Sequence, residues 1–246
     1  MAEFDRPSVA ARPGTAAVVD QGLRSYMLKV YNYMTIGLVL TGAVAYGAFA
    51  AAFDATGNLT GFGEAIYVSP LKWIVMLAPL AFVLVLSFGI TKLSTATAQL
   101  LFWVFAAVMG LSLSSIFAVY TGGSIAKVFF ITAGTFGAMS LYGYTTKRDL
   151  TQIGSFLMMG LIGIIIASVV NIFLHSSALS FGISIVGVLV FVGLTAWDTQ
   201  KIKESYNVGF GADVLAKGAI MGALSLYLDF INLFLMLLRL FGNQRN

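Results

Sequence analysis

From Val30 onward, long uncharged apolar runs alternate with short clusters of charged, glycine and proline residues. A run of about 20 apolar residues is the length at which a helix crosses a bilayer core. Dividing the chain by that length predicts seven spans. The first runs from Val30 to Phe53, with Gly37, Gly42 and Gly47 as small residues that let helices approach closely. The glycine-rich segment from Phe53 to Pro70, carrying Asp54 and Glu64, then reads as an external loop. The second span is expected from Leu71 to Thr91, with Lys92 marking a short return. The charge-free run from Leu93 to Ala126 is too long for one crossing. Thr121-Gly122-Gly123-Ser124 divides it into a third span, Ala98 to Tyr120, and a fourth, Ile125 to Thr146. The fifth, Gln152 to Leu174, and the sixth, Leu179 to Trp197, are separated by the polar break around His175. The seventh runs from Gly218 to Leu240.

Composition agrees with that pattern. With 59% hydrophobic and 10% charged residues and a mean hydropathy of +0.92, the 246-residue chain is an all-α integral membrane protein. Residues 1–24 are expected to form a disordered cytosolic tail, and residues 25–246 a single seven-helix transmembrane domain. Cysteine is absent, which excludes disulfide scaffolds, thiolate metal sites and cysteine nucleophiles. The net charge of +4 reflects basic residues flanking the spans rather than a nucleic-acid partner. Of the 14 lysines and arginines, the inner segments of an N-in topology hold all but Lys72, Lys127, Arg239 and Arg245. The expected topology is therefore N-terminus cytosolic and C-terminus outside.

Against this apolar background Asp229, in the middle of SLYLDFINLF, stands out. A charged aspartate at a helix centre costs about 2.5–3.5 kcal/mol on insertion scales, so such acids mark functional sites by default. The alternative is a structural acid, neutral or bonded to a neighbouring helix. Ser225 and Asn232 lie on the same helical face, and Gly218 and Gly222 extend it with small residues. Asp198, in GLTAWDTQKIKESY, occupies the less demanding end of the sixth span, where it can also be simply solvated. If the sixth and seventh helices are neighbours, the two carboxyl groups share a poorly solvated site and titrate as a unit. Carboxylates are also ligands for hard cations such as Ca2+, so both acids are candidate Ca2+ contacts.

Lesser candidates follow. Lys92 reads as an inner-side topology anchor, with a second reading in which it reaches the acid pair. Asn171, inside the fifth span, is expected to make an interhelical hydrogen bond. His175 has no second ligand nearby and reads as a loop residue.

The last helix, Ala223 to Gly242, closely resembles the C-terminal signature of the Bax inhibitor-1 family, also called the transmembrane Bax inhibitor motif family. Asp198-Thr199-Gln200-Lys201-Ile202 resembles the end of that family's sixth helix, and Asn171-Ile172-Phe173 a short motif in its fifth. The resemblance implies a seven-helix bundle with the C-terminal helix at its centre, acting as a pH-sensitive calcium leak. It also implies that Asp198 and Asp229 form the hydrogen-bonded pair that responds to protonation. Two departures matter. The connection Tyr206 to Gly218 is longer than in bacterial relatives, and Lys92 stands near the position where some members carry an arginine partner for the pair.

The expected function is thus a pH-sensitive cation leak in a bacterial plasma membrane. No tightly bound cofactor is implied; Ca2+ and protons are the ions handled. A non-transporting regulator that binds a membrane protease is the alternative, its handle being the polar N-terminal tail. An intramembrane aspartyl protease is disfavoured because Gly-x-Gly-Asp is missing, and Gly209-Phe210-Gly211-Ala212-Asp213 has the wrong spacing. The protein is read as a non-enzyme whose oligomeric state the sequence leaves open, a monomer included.

Overall fold

The computed structural model describes residues 13–245, and among these the chain forms nine helices. In order they are α1 (Pro13–Ala52), α2 (Gly61–Tyr67), α3 (Leu71–Gly89), α4 (Thr95–Leu113), α5 (Ile116–Val119), α6 (Gly122–Thr145), α7 (Thr151–Leu174), α8 (Ser177–Glu204) and α9 (Ala212–Phe241). Seven stretches are long and apolar enough to cross a membrane, α4 and α5 together counting as one. Hydroxyl residues mark several starts. The side chains of Ser94, Thr121 and Ser176 accept hydrogen bonds from the backbone N–H groups of Thr97, Ser124 and Leu179, capping α4, α6 and α8. His175 ends α7 with a left-handed backbone, φ 49°, which turns the chain into α8 within two residues.

The last helix is the axis of the bundle. In its most apolar window 72% of α9 is buried, against 6% for α7. It packs on α8, α1, α6, α4 and α3, while α7 lies outside and packs on α8. In lipid there is no hydrophobic drive between helices, so association rests on close packing. Tyr227 of α9 is fully buried with its ring 5.2 Å from Phe105 and 6.3 Å from Phe102, both in edge-on geometry. Glycine lets two helix pairs touch backbone to backbone. A Cβ on Gly143 of α6 would strike the Ala196 carbonyl of α8, and one on Gly110 of α4 would lie 2.6 Å from the Thr41 carbonyl of α1.

Three expectations change. Helix α1 begins at Pro13, so residues 13–24 are helical and not a disordered tail; residues 1–12 lie outside the described residues. Proline is favoured in a first helical turn, and the alanines that follow propagate a helix well. The sixth span continues past Trp197 to Glu204, because Lys201 and Lys203 suit the negative end of a helix and do not stop it. The long connection before the seventh span shrinks to residues 205–211. Asp213 and Lys217 lie in the opening turns of α9, joined by a 2.8 Å i,i+4 ion pair.

Candidate functional site

Helices α8 and α9 are antiparallel neighbours, and the small-residue face of α9 is turned toward α8: a Cβ on Gly222 would meet Ile202, and one on Gly187 of α8 would meet Met236. That juxtaposition brings Asp198 and Asp229 together. Their carboxyl groups lie within interaction range of each other. A carboxylate only accepts hydrogen bonds, so a direct bond between the two groups would require a proton between them. Asp229 is 5% exposed, whereas Asp198 is half-buried. Among the described residues no N–H or hydroxyl donor is directed at the buried Oδ2 of Asp229, which leaves the Asp198 carboxyl as the group able to satisfy it.

Ser225 and Asn232 flank the pair on α9 but do not bond to it. The Asn232 side chain donates to its own helix, at the Leu228 carbonyl, 2.8 Å away. Lys92 is exposed in the turn between α3 and α4, and no ion pair joins it to either acid among the described residues. The cation whose charge reaches Asp198 is Lys201, one turn further along α8, with its Nζ 4.9 Å from the Trp197 ring centre. Asn171 sits at the far end of α7, where its side chain donates to Ser180 Oγ (2.7 Å) and accepts from the Ser176 backbone N–H (3.0 Å), tying α7 to α8.

Around the pair lie polar links that the sequence did not single out. Tyr31 of α1, Ser140 of α6 and Thr199 of α8 form a hydroxyl chain, with oxygens 2.6 and 3.0 Å apart. Thr199 completes it by donating to the Thr195 carbonyl. Tyr227 and Thr41 are joined at 2.7 Å, and Thr41 donates to the Ala106 carbonyl. Gln200 accepts from the Leu150 N–H and donates to the Arg148 carbonyl, clamping the α6–α7 loop onto α8. Adjacent Asp-Thr-Gln residues at the end of a span were the available signal, since burying three polar side chains in sequence demands partners.

Two cavities run along the seam between α1 and α6. One, of about 570 Å3, has Arg24 at one end and Tyr31, Ser140 and Phe136 in its wall. A smaller one, about 90 Å3, is walled by Thr41, Phe129, Phe230 and Phe234. The rings of Phe136 and Phe129 lie edge-on, 5.5 and 5.4 Å from that of Phe230, so aromatic contacts link the walls of the two spaces. Among the described residues no three acidic or histidine side chains gather as a metal cluster.

Comparison with known proteins agrees with this architecture. A family model described as inhibitor of apoptosis-promoting Bax1 matches residues 23–246. An uncharacterized protein of Rickettsia prowazekii is 53% identical over 230 residues, covering 92% of this chain and 93% of that one. The inner membrane protein YbhL of Escherichia coli is also 53% identical over 230 residues, covering 91% and 94%. An uncharacterized protein of Caulobacter vibrioides is 46% identical over 250 residues, covering 100% of both chains.

Proposed function

The chain belongs to the Bax inhibitor-1 family, and from that membership we propose that this integral, multi-pass membrane protein is a calcium-permeable leak whose state is set by the proton shared between Asp198 and Asp229. One observation carries the reading: two carboxyl groups meet at the contact between the central helix and its principal neighbour. With the proton in place they are joined. Without it they are like charges in a poorly solvated site, which cannot stay in contact. The charge state of the pair therefore biases the packing of α8 against α9. The charged and titratable groups around it are Lys201 on α8, Tyr31 through the Ser140–Thr199 chain, and Tyr227, held by Thr41.

The aromatic barrier of Phe129, Phe136 and Phe230 supports a closed resting arrangement along the α1–α6 seam. Two carboxyl groups supply fewer oxygens than the roughly 6–8 that Ca2+ takes, so they touch a passing ion that keeps much of its water. The host is a bacterial inner membrane, in keeping with the E. coli relative. The end bearing Lys147, Arg148, Lys201 and Lys203 faces the cytosol by the positive-inside rule, with the N-terminus inside and the C-terminus outside.

The test is calcium entry into proteoliposomes across pH, for the wild type and Asp229→Asn. The expected result is flux that varies with pH in the wild type and a flat response in the variant. Absence of flux in the wild type overturns the reading and leaves the non-transporting regulator. An unchanged pH response in Asp229→Asn removes the pair from the mechanism.

A further inference from the structure

At the end of the bundle remote from the aspartate pair, a cup of about 700 Å3 opens between α7, α8 and the C-terminal turn of α9. Its wall differs from those of the cavities along the α1–α6 seam. Hydroxyl and amide groups from Ser168, Ser177, Ser180, Tyr120 and Gln244 line it, together with Arg239, and among the described residues no carboxylate does. Arg239 makes no ion pair among the described residues. Its guanidinium is exposed, and an arginine keeps its charge at every physiological pH.

The cup is held in shape from two sides. Asn171 donates to Ser180 Oγ, which leaves the Ser180 hydroxyl hydrogen free to donate elsewhere. The same asparagine fixes the first turn after α7 through the Ser176 N–H. On the other side residues 242–245 fold back over the α5–α6 junction. Arg245 N–H donates to the Val119 carbonyl at 2.9 Å, Thr121 N–H to the Asn243 carbonyl at 3.1 Å, and Asn243 N–H to Ser124 Oγ at 2.9 Å. Those bonds place Tyr120 and Gln244 in the wall opposite Ser168 and Ser177.

Several neutral donors converging beside one guanidinium match a tetrahedral oxyanion better than a flat carboxylate, because more oxygens can be engaged at once. The rim adds a second requirement. Ile172 is 64% exposed and Phe181 60% exposed, an apolar edge continuous with the lipid-facing sides of α7 and α8. A ligand with a phosphate at one end and hydrocarbon at the other satisfies both.

We propose that this cup binds a phosphate group, that of an anionic phospholipid, with Arg239 as its charged donor, the serine hydroxyls as neutral donors and the Ile172–Phe181 rim against the acyl chains. The site is independent of the aspartate pair and of any ion flux.

The full chain is purified in neutral detergent and reconstituted in bilayer discs of phosphatidylcholine, with or without phosphatidylglycerol. Lipid carried through purification is counted by native mass spectrometry, and inorganic phosphate is titrated calorimetrically in a parallel arm. The expected result is retained phosphatidylglycerol, weakened about 10–100-fold by Arg239→Gln and largely kept by Arg239→Lys. Should Arg239→Gln fail to fold, Ser168→Ala, which removes one neutral donor without touching the charge or the Asn171–Ser180 bond, serves in its place with a smaller loss expected. Binding of inorganic phosphate that depends on Arg239 supports the phosphate site and identifies the free ion as a sufficient ligand. Retention equal in wild type and Arg239→Gln, or binding in neither arm, overturns the proposal.

Discussion

The carboxyl group of Asp198 rests against that of Asp229 across the α8–α9 contact, and only the less buried of the two has a lysine, Lys201, within electrostatic reach. The inner acid has the outer acid as its neighbour and no N–H or hydroxyl donor directed at its buried Oδ2 among the described residues. This asymmetry separates the roles of the two residues.

Asp198→Asn and Asp229→Asn both keep a hydrogen-bonding amide at the contact while removing one titrating group. Each is expected to abolish the steep part of the pH response of calcium flux, which for a single proton approaches about tenfold per pH unit. Lys201→Gln, by contrast, leaves both acids in place and is expected to shift the midpoint of that response while preserving its steepness. Flux against pH for the three variants checks the distinction.

Phe230 stands between the two cavities of the α1–α6 seam. Phe230→Ala joins them, and calcium flux is expected to rise at every pH. The same truncation is expected to destabilise the fold by about 3–5 kcal/mol, read as a lower thermal midpoint in detergent. A midpoint that falls with no rise in flux assigns the edge-on rings to packing alone.

Gly143 lies against the Ala196 carbonyl with no room for a side chain. Gly143→Ala forces α6 away from α8, and overpacking of this kind costs about 1–3 kcal/mol. Gly134→Ala on the same helix meets nothing within 4 Å and is expected to be neutral or slightly stabilising. Thermal unfolding of the two variants side by side isolates the close approach from helix propensity.

Asp149, outside the membrane segments, is held below the usual carboxylate range by the side chain and backbone N–H of Thr151, the latter at 2.8 Å. Its folded-state pKa is depressed, so its contribution is present above the ordinary aspartate value and is lost as pH falls through the depressed one. Protection of the Thr151 amide in the first turn of α7, its exchange relative to the intrinsic rate at each pH, is expected to fall on acidification in the wild type. In Asp149→Ala it is expected to be low throughout.

Much of this architecture was legible because the bilayer imposes a length on apolar runs. Six of the seven spans begin within about one or two turns of where hydropathy puts them, and Asp229 announced itself by the cost of an acid at that depth. What hydropathy misreads are helix ends outside the membrane. Lys201 and Lys203 look like a stop but sit in the last turns of α8, and Pro13 looks like a breaker but opens α1. Lys92 was the nearest cation by its place in the hydropathy profile, whereas the fold puts Lys201 beside the pair. That relation depends on which face of α8 meets α9, which charge placement along the chain does not encode. The cup at Arg239 was equally hidden, since its serines come from two helices whose apolar runs gave no hint of a shared polar wall.

Gln200 grips the α6–α7 loop, and α7 packs on α8 and stays clear of the central helix. In the plane of the membrane α7 and α8 are therefore one body. Any step that parts α8 from α9 carries α7 outward with it and enlarges the area the protein occupies among the lipids. In the proposed gating, work against the lateral pressure of the bilayer would then enter the energy of that step, and the balance would respond to membrane tension as well as to protons.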